Sequence, residues 1–221
     1  AIHMAVSELI EGRADMMITG GVDLDNSIGA FMCFSKTPAF SKSQNPSPFD
    51  KDSDGMMVGE GIGMVMLKRL ADARRDNDRI YAVIKGIGTS SDGRFKSIYA
   101  PRPAGQSLAM RRAYAEAGYS PATVGLIEAH GTGTMAGDPA EFQGLTEVFS
   151  ENNPNKQTIA LGSVKSQIAH TKAAAGVASL IKVSLALYHK VLPATIHVNT
   201  PNPTLEIEKS PFYLNTEVRP W

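Results

Sequence analysis

Twice in this chain a short apolar run ends at a turn of small residues that carries a histidine and opens a helix. This pattern constrains the fold more than any other feature. Residues 124–129 read as a buried strand, followed by His130-Gly131-Thr132-Gly133-Thr134 and a helix starting near Asp138. Residues 159–164 read as a second strand, followed by Lys165-Ser166-Gln167-Ile168-Ala169-His170-Thr171 and a small-residue helix over 172–190. In open α/β sheets the carboxyl ends of strands are where ligands bind and chemistry occurs. A lone histidine beside glycines is usually a turn residue satisfied by backbone groups. The repeated arrangement is what points to a site, with two imidazoles and one lysine converging on one sheet edge.

Composition excludes several classes of function. Lys plus Arg equals Asp plus Glu at 22 each, so no overall field attracts nucleic acid or an anionic membrane. One cysteine rules out an intramolecular disulfide framework. No Cys-x-x-Cys or His-Glu-x-x-His occurs, so no metal site is expected and a reducing cytoplasmic setting is. No signal peptide and no apolar run of membrane-spanning length is evident. Gly59-x-Gly61-x-Gly63 lies inside a strand pattern over 57–67 that runs on to Leu67, so it is not a dinucleotide fingerprint; the glycines are expected to let two layers pack closely. Lys165-Ser166 lacks the glycine spacing of a phosphate loop.

With 221 residues the chain can bury a sizeable core. Residues 1–11 form an amphipathic helix with Ile2, Val6, Leu9 and Ile10 on one face and no N-cap residue ahead of it. Residues 15–19 read as a buried strand ended by Gly20-Gly21, and 31–54 as an irregular, proline-containing stretch covering a site or partner surface. After a charged helix over 70–79 come a strand over 80–88, a polar loop over 90–103 and a helix over 104–117 closed by Gly118. A last strand is expected over 212–216. The alternation argues for a mostly parallel α/β sheet covered on both faces.

Glu128-Ala129-His130-Gly131-Thr132-Gly133-Thr134, Gly162-Ser163-Val164-Lys165-Ser166 with Ile168 and His170-Thr171, and Pro48-Phe49-Asp50 with Gly55 and Gly59-Glu60-Gly61 together resemble the β-ketoacyl synthases of the thiolase superfamily. The match runs in order through essentially the whole chain. The wording of residues 34–40 and 96–103 further resembles the ketosynthase domain of polyunsaturated fatty acid synthases. The resemblance implies a thiolase-like layered α-β-α-β-α fold, truncated here, with 1–75 the end of the N-terminal half and 76–221 most of the C-terminal half. It also implies decarboxylative Claisen condensation of an acyl thioester with malonyl-carrier protein. Substrates would ride on the phosphopantetheine of acyl-carrier protein domains, and the enzyme would be a homodimer within a multidomain synthase. By resemblance, His130 and His170 line the decarboxylation and oxyanion site and Lys165 sets its electrostatics. Thr132 and Thr134 contact the phosphopantetheine arm or brace the loop, and Asp138 and Glu141 act from behind these residues or as charges at a helix N-terminus.

Two departures stand out. The family usually has Asn-Ile-Gly-His where this chain has Gln167-Ile168-Ala169-His170, so the placement of His170 depends on how the loop takes the extra methyl. The family's nucleophilic cysteine sits at a strand-to-helix turn where the helix N-terminus favours the thiolate, whereas Cys33 lies in an apolar stretch and is expected to be a structural thiol. The resemblance places the nucleophile ahead of Ala1 and the closing glycine-rich loop after Trp221, so the chain alone is expected not to condense. A non-catalytic, chain-length-controlling subunit would also lack the cysteine, but it has little need of both histidines and Lys165. A degradative thiolase fits the two histidine motifs poorly.

Overall fold

The structure is a computed structural model that describes residues 1–37, 39–96 and 100–221. Pro38 of the irregular stretch and Ser97, Ile98 and Tyr99 of the polar loop lie outside the described residues.

The chain opens with α1 (Ile2–Ile10), which has no side-chain cap at Ala1. Its buried residues are Ala5 and Leu9, and Ile10, expected on the same face, is 73% exposed. Next comes β1 (Met16–Asp23), which does not stop at Gly20-Gly21. These glycines carry the strand through a crowded layer: a Cβ on Gly20 would stand 2.0 Å from the oxygen of Gly63, and one on Gly21 2.3 Å from that of Ala173. Nor is the strand buried throughout, because Met16, Ile18 and Val22 are exposed.

An eight-residue helix, α2 (Ile28–Ser35), occupies part of the stretch expected to be irregular. Ser27 starts it by accepting the N–H of Ala30 at 3.3 Å, an N-cap missed because the apolar run after it carried no helical period. Cys33 lies in its last turn and is exposed, so it is not the packed thiol expected. Antiparallel to β1 runs β2 (Gly61–Lys68), which starts later than the sequence pattern suggested. Its glycines do admit close packing, since a Cβ on Gly63 would meet Val177 at 2.6 Å. The short α3 (Leu70–Arg75) follows.

Residues 80–88, expected as a strand, have no ladder partner among the described residues. They lie against α4 (Pro103–Ala117), where Cβ atoms on Gly86 and Gly88 would meet the carbonyl oxygens of Ala113 and Ala109. Gly118, at φ 75°, closes α4 in the left-handed conformation.

The second half is built on a parallel three-stranded sheet in the order β3 (Leu126–Glu128), β4 (Ile159–Gly162) and β6 (Phe212–Leu214). Helix α5 (Gly137–Phe149) packs on it through Phe142, Leu145, Val148 and Phe149, which close over Phe212 and Leu161 to form the main core. After β4 the chain makes one turn, α6 (Lys165–Ile168), a 3-10 turn over Lys172–Ala174, and the long α7 (Ala175–His189). A small antiparallel pair, β5 (Val191–Leu192) with β7 (Arg219–Pro220), completes the fold. The expected parallel sheet is therefore present in the second half, alongside two antiparallel ribbons among the described residues.

Candidate active site

Both histidine turns leave the same end of the parallel sheet. His130 follows β3 by two residues, and the loop after α6 brings His170 beside it. The two rings stand edge to face with centroids 5.1 Å apart and an interplanar angle of 82°.

His130 is held by its main chain. Its N–H donates to Oε1 of Glu141 at 2.6 Å and the N–H of Gly131 donates to Oε2 at 2.8 Å, so one carboxylate of α5 spans the turn. The main-chain oxygen of His130 accepts from Nζ of Lys165 at 2.6 Å. Asp138, buried in the first turn of α5, accepts from the N–H groups of Thr132 and Gly133 at 3.1 Å each and from that of Phe49 at 2.7 Å. Thr132 and Thr134 lie with their hydroxyls 3.0 Å apart, and Thr134 accepts the N–H of Gly137 at 3.1 Å, so both threonines brace the turn. Gly131 is required at φ 42°, where a Cβ would come within 2.7 Å of Ser163.

His170 is fixed from the first half of the chain. Its N–H donates to the oxygen of Met57 at 2.8 Å and its oxygen accepts the N–H of Gly59 at 3.0 Å. Its ring accepts at Nδ1 from the N–H of Lys172 at 3.0 Å. A neutral imidazole that accepts at Nδ1 carries its proton on Nε2, which leaves Nε2–H as a donor. The preceding Ala169 takes φ 58° and ψ −169°, a region that glycine enters freely and residues with a Cβ do not. The extra methyl is thus accommodated in a strained backbone, and His170 still reaches its partner.

The electrostatics favour neutral rings. Withdrawal from solvent, then the charge of Lys165, then the other ring, pull His130 down to about 4, even though part of the residue remains exposed. Withdrawal from solvent, then Lys165 and Lys172, bring His170 to about 4 against the opposing pull of Asp23. Burial also lowers Lys165, which is 2% exposed, while Glu141, Glu128 and Asp138 favour its charged form. Burial pushes Glu141 up to about 7 and raises Asp138 above the ordinary carboxyl range, each against the backbone N–H groups that hold it.

Several supports were not singled out as site residues. Glu128, at the end of β3, accepts from the N–H of Val164 at 2.5 Å and the hydroxyl of Ser179 at 3.3 Å, and its other oxygen lies 2.7 Å from the ammonium of Lys182. A charged residue inside an apolar strand was the available signal. Ser163, fully buried, donates to the oxygen of Gly131 at 3.1 Å, and Phe49 wedges beneath the same turn at φ 64°. Cys33 belongs to a different cluster, on a helix whose Phe31 and Phe34 pack on Phe40. Among the described residues no group of three or more His, Cys, Asp or Glu could hold a metal ion. Nor is any helix among them long and apolar enough to cross a membrane.

Comparison with known proteins gives the family and the fold. Residues 1–73 match the β-ketoacyl synthase N-terminal domain and residues 81–199 the β-ketoacyl synthase C-terminal domain. The chain is 48% identical to a polyunsaturated fatty acid synthase polypeptide of Thraustochytrium over 226 aligned residues, and 42% identical over 219 to polyketide synthase PksL of Bacillus subtilis. All of this chain aligns with the first and 99% with the second, yet it spans 8% and 5% of their lengths. It superposes along its full length, with a TM-score of 0.96 and 42% identity, on 40% of the ketosynthase from module 6 of the bacillaene synthase of Bacillus subtilis. Its fold is accordingly the thiolase-like α/β fold of ketosynthases. With both family domains matched in order and the two histidine turns meeting at one sheet edge, this chain belongs to the β-ketoacyl synthase family.

Proposed function

We propose that these residues form the decarboxylation and oxyanion-binding part of a ketosynthase. It would take a malonyl group carried as a thioester on the phosphopantetheine of an acyl-carrier protein domain, in the decarboxylative Claisen condensation of polyunsaturated fatty acid or polyketide biosynthesis. The observation that carries this reading is the pair of neutral imidazoles, His130 and His170, held edge to face with the Lys165 ammonium gripping one of them by its main chain. No directly bound cofactor is needed.

In the reaction, the bond between the malonyl carboxylate carbon and the α-carbon breaks and carbon dioxide leaves. The electron pair stays with the α-carbon as an enolate whose charge gathers on the thioester oxygen. Neutral rings serve here because each offers one N–H donor to that oxygen without protonating the carbanion, and preorganised donors of this kind need no rearrangement as charge develops. The enolate carbon then attacks the acyl thioester and expels its thiolate. Thr132 and Thr134 are assigned to the mouth where the phosphopantetheine arm enters, while Asp138 and Glu141 position the His130 turn. Cys33 is assigned no role in acyl transfer, in keeping with its place in the last turn of α2 rather than at a helix N-terminus.

Residues 1–75 are taken as the end of the first ketosynthase half and 76–221 as most of the second, a division supported by the two domain matches. Two copies would pair within a multidomain synthase, a reading supported by apolar side chains left open on β1, β2 and α1, among them Ile18, Met64 and Met4. The single cysteine favours the cytosol as the setting.

The test is release of carbon dioxide from a malonyl-phosphopantetheine thioester. His130→Ala and His170→Ala should each lower the rate by about 10²-fold or more, and Cys33→Ser should leave it unchanged. Wild-type rates in both histidine variants, no release by the unsubstituted protein, or stable acylation of Cys33 would each overturn the reading.

A further inference from the structure

The hydrogen bond that sets the tautomer of His170 comes from a residue in an unfavourable conformation. Lys172 has φ 45°, in the left-handed region that a residue with a Cβ avoids. Its N–H points back to Nδ1 of His170, two residues earlier, at 3.0 Å, a direction set through Thr171 at φ −78° and ψ 27°, while the φ of Lys172 sets where its own side chain and the chain after it go. Nothing in the local sequence favours the conformation, because Lys172 is neither glycine nor asparagine.

What holds it lies in the other half of the chain. The ammonium of Lys172 donates to Oδ1 of Asn26 at 2.9 Å and to the main-chain oxygen of Gly59 at 3.0 Å, and stands 3.0 Å from Oδ1 of Asp23. Asp23 also faces the N–H of Ala173 at 3.4 Å, and both members of the Lys172–Asp23 pair are largely buried, each side chain 17% exposed. Gly59 contributes twice. Its oxygen receives the Lys172 ammonium while its N–H holds the main-chain oxygen of His170. The end of β1 and the residues ahead of β2 therefore grip the histidine loop on both sides of the ring.

We infer that Lys172 is a positioning residue: its side chain, caged by Asp23, Asn26 and Gly59, holds its own N–H against Nδ1 of His170 and so keeps Nε2–H pointed at the substrate oxygen. The inference deepens the function proposed above and rests on it for the identity of the substrate, but not for the tautomer. The cage links the first ketosynthase half directly to the geometry of a histidine in the second.

The test separates the two. Nitrogen-15 labelling of the five histidines allows the His170 ring to be assigned by comparison with His170→Ala and its tautomer to be read directly. The wild-type protein should show the Nε2–H form. Lys172→Met should give mixed tautomers and lower kcat for malonyl-thioester decarboxylation by roughly tenfold, with KM within about twofold, because the substitution misdirects a donor and leaves substrate binding intact. Lys172→Arg, which retains the charge, should recover most of both, and Lys209→Met, which removes an exposed lysine elsewhere, should change neither. If Lys172→Met does not fold, Asn26→Ala removes one cage acceptor and is read in the same way. An unchanged tautomer in the folded variant overturns the inference even where decarboxylation is never observed; a shifted tautomer in a protein that never decarboxylates supports it and counts against the substrate instead.

Discussion

The ammonium of Lys165 lies 2.6 Å from the main-chain oxygen of His130, so the lysine holds the His130 turn by its backbone and leaves the imidazole free of that bond. The same charge helps to keep both imidazoles neutral. Lys165 thus acts on position and on protonation at once.

Replacing Lys165 by Met should raise the titration of both histidines from about 4 towards the ordinary imidazole value, as followed by proton NMR. It also leaves the buried carboxyl of Asp138 and that of Glu141 without their nearby cation. Chemical denaturation should show a loss of about 3 kcal/mol. With centroids 5.1 Å apart the rings should titrate as a pair, with apparent values belonging to both.

The histidines and Glu141 give opposite pH dependences. Below the ordinary value of 6.5 and above about 4, the unfolded chain binds imidazole protons that the folded chain does not, so stability rises with pH across that window and is lost on acidification. Glu141, raised from 4.5 to about 7, binds its proton more readily in the folded chain; its contribution is present at low pH and fades as pH rises through 7. Glu141→Gln should therefore steepen the gain of stability between pH 4.5 and 6.5, measured by urea unfolding at several pH values. A slope that becomes shallower would contradict the assignment.

At Ala169, φ 58° with ψ −169° costs about 1–3 kcal/mol for a residue with a Cβ. Glycine removes that strain and returns about 0.4–1 kcal/mol through the greater freedom of the unfolded chain. Ala169→Gly should stabilise the protein by about 1 kcal/mol, a rise of roughly 2–4 °C in Tm for a chain of this size. Thermal unfolding checks this.

Glu128 and Lys182 form an ion pair with side chains 4% and 11% exposed, joining the end of β3 to α7. Lys182→Met leaves a buried carboxylate uncompensated and should cost about 3–5 kcal/mol. Adding Glu128→Gln should recover part of the loss, so that a double-mutant cycle yields a coupling of about 0.5–3 kcal/mol. Strict additivity would show that the pair contributes no net interaction.

By itself the sequence determined the helix over 103–117 and the two strand–turn–helix units that carry His130 and His170, because the apolar runs before His130 and Lys165 and the glycine closing α4 are local signals read over a few residues. It also determined which three side chains belong together, since both turns leave strand ends that a parallel sheet aligns. Only the tertiary structure decided that Gly20 and Gly21 continue a strand, that residues 80–88 run without a ladder partner among the described residues, and that Cys33 is exposed on a helix. The first two depend on neighbours distant in the chain, Gly63 and Ala173 for the glycines and the carbonyls of α4 for the extended run, whereas the helix rests on Ser27 and Phe40 close beside it, and its exposure on what packs there. The cage around Lys172 was illegible for the same reason. Its acceptors lie more than a hundred residues earlier, and only folding brings them to the ammonium of the lysine whose N–H meets Nδ1 of His170.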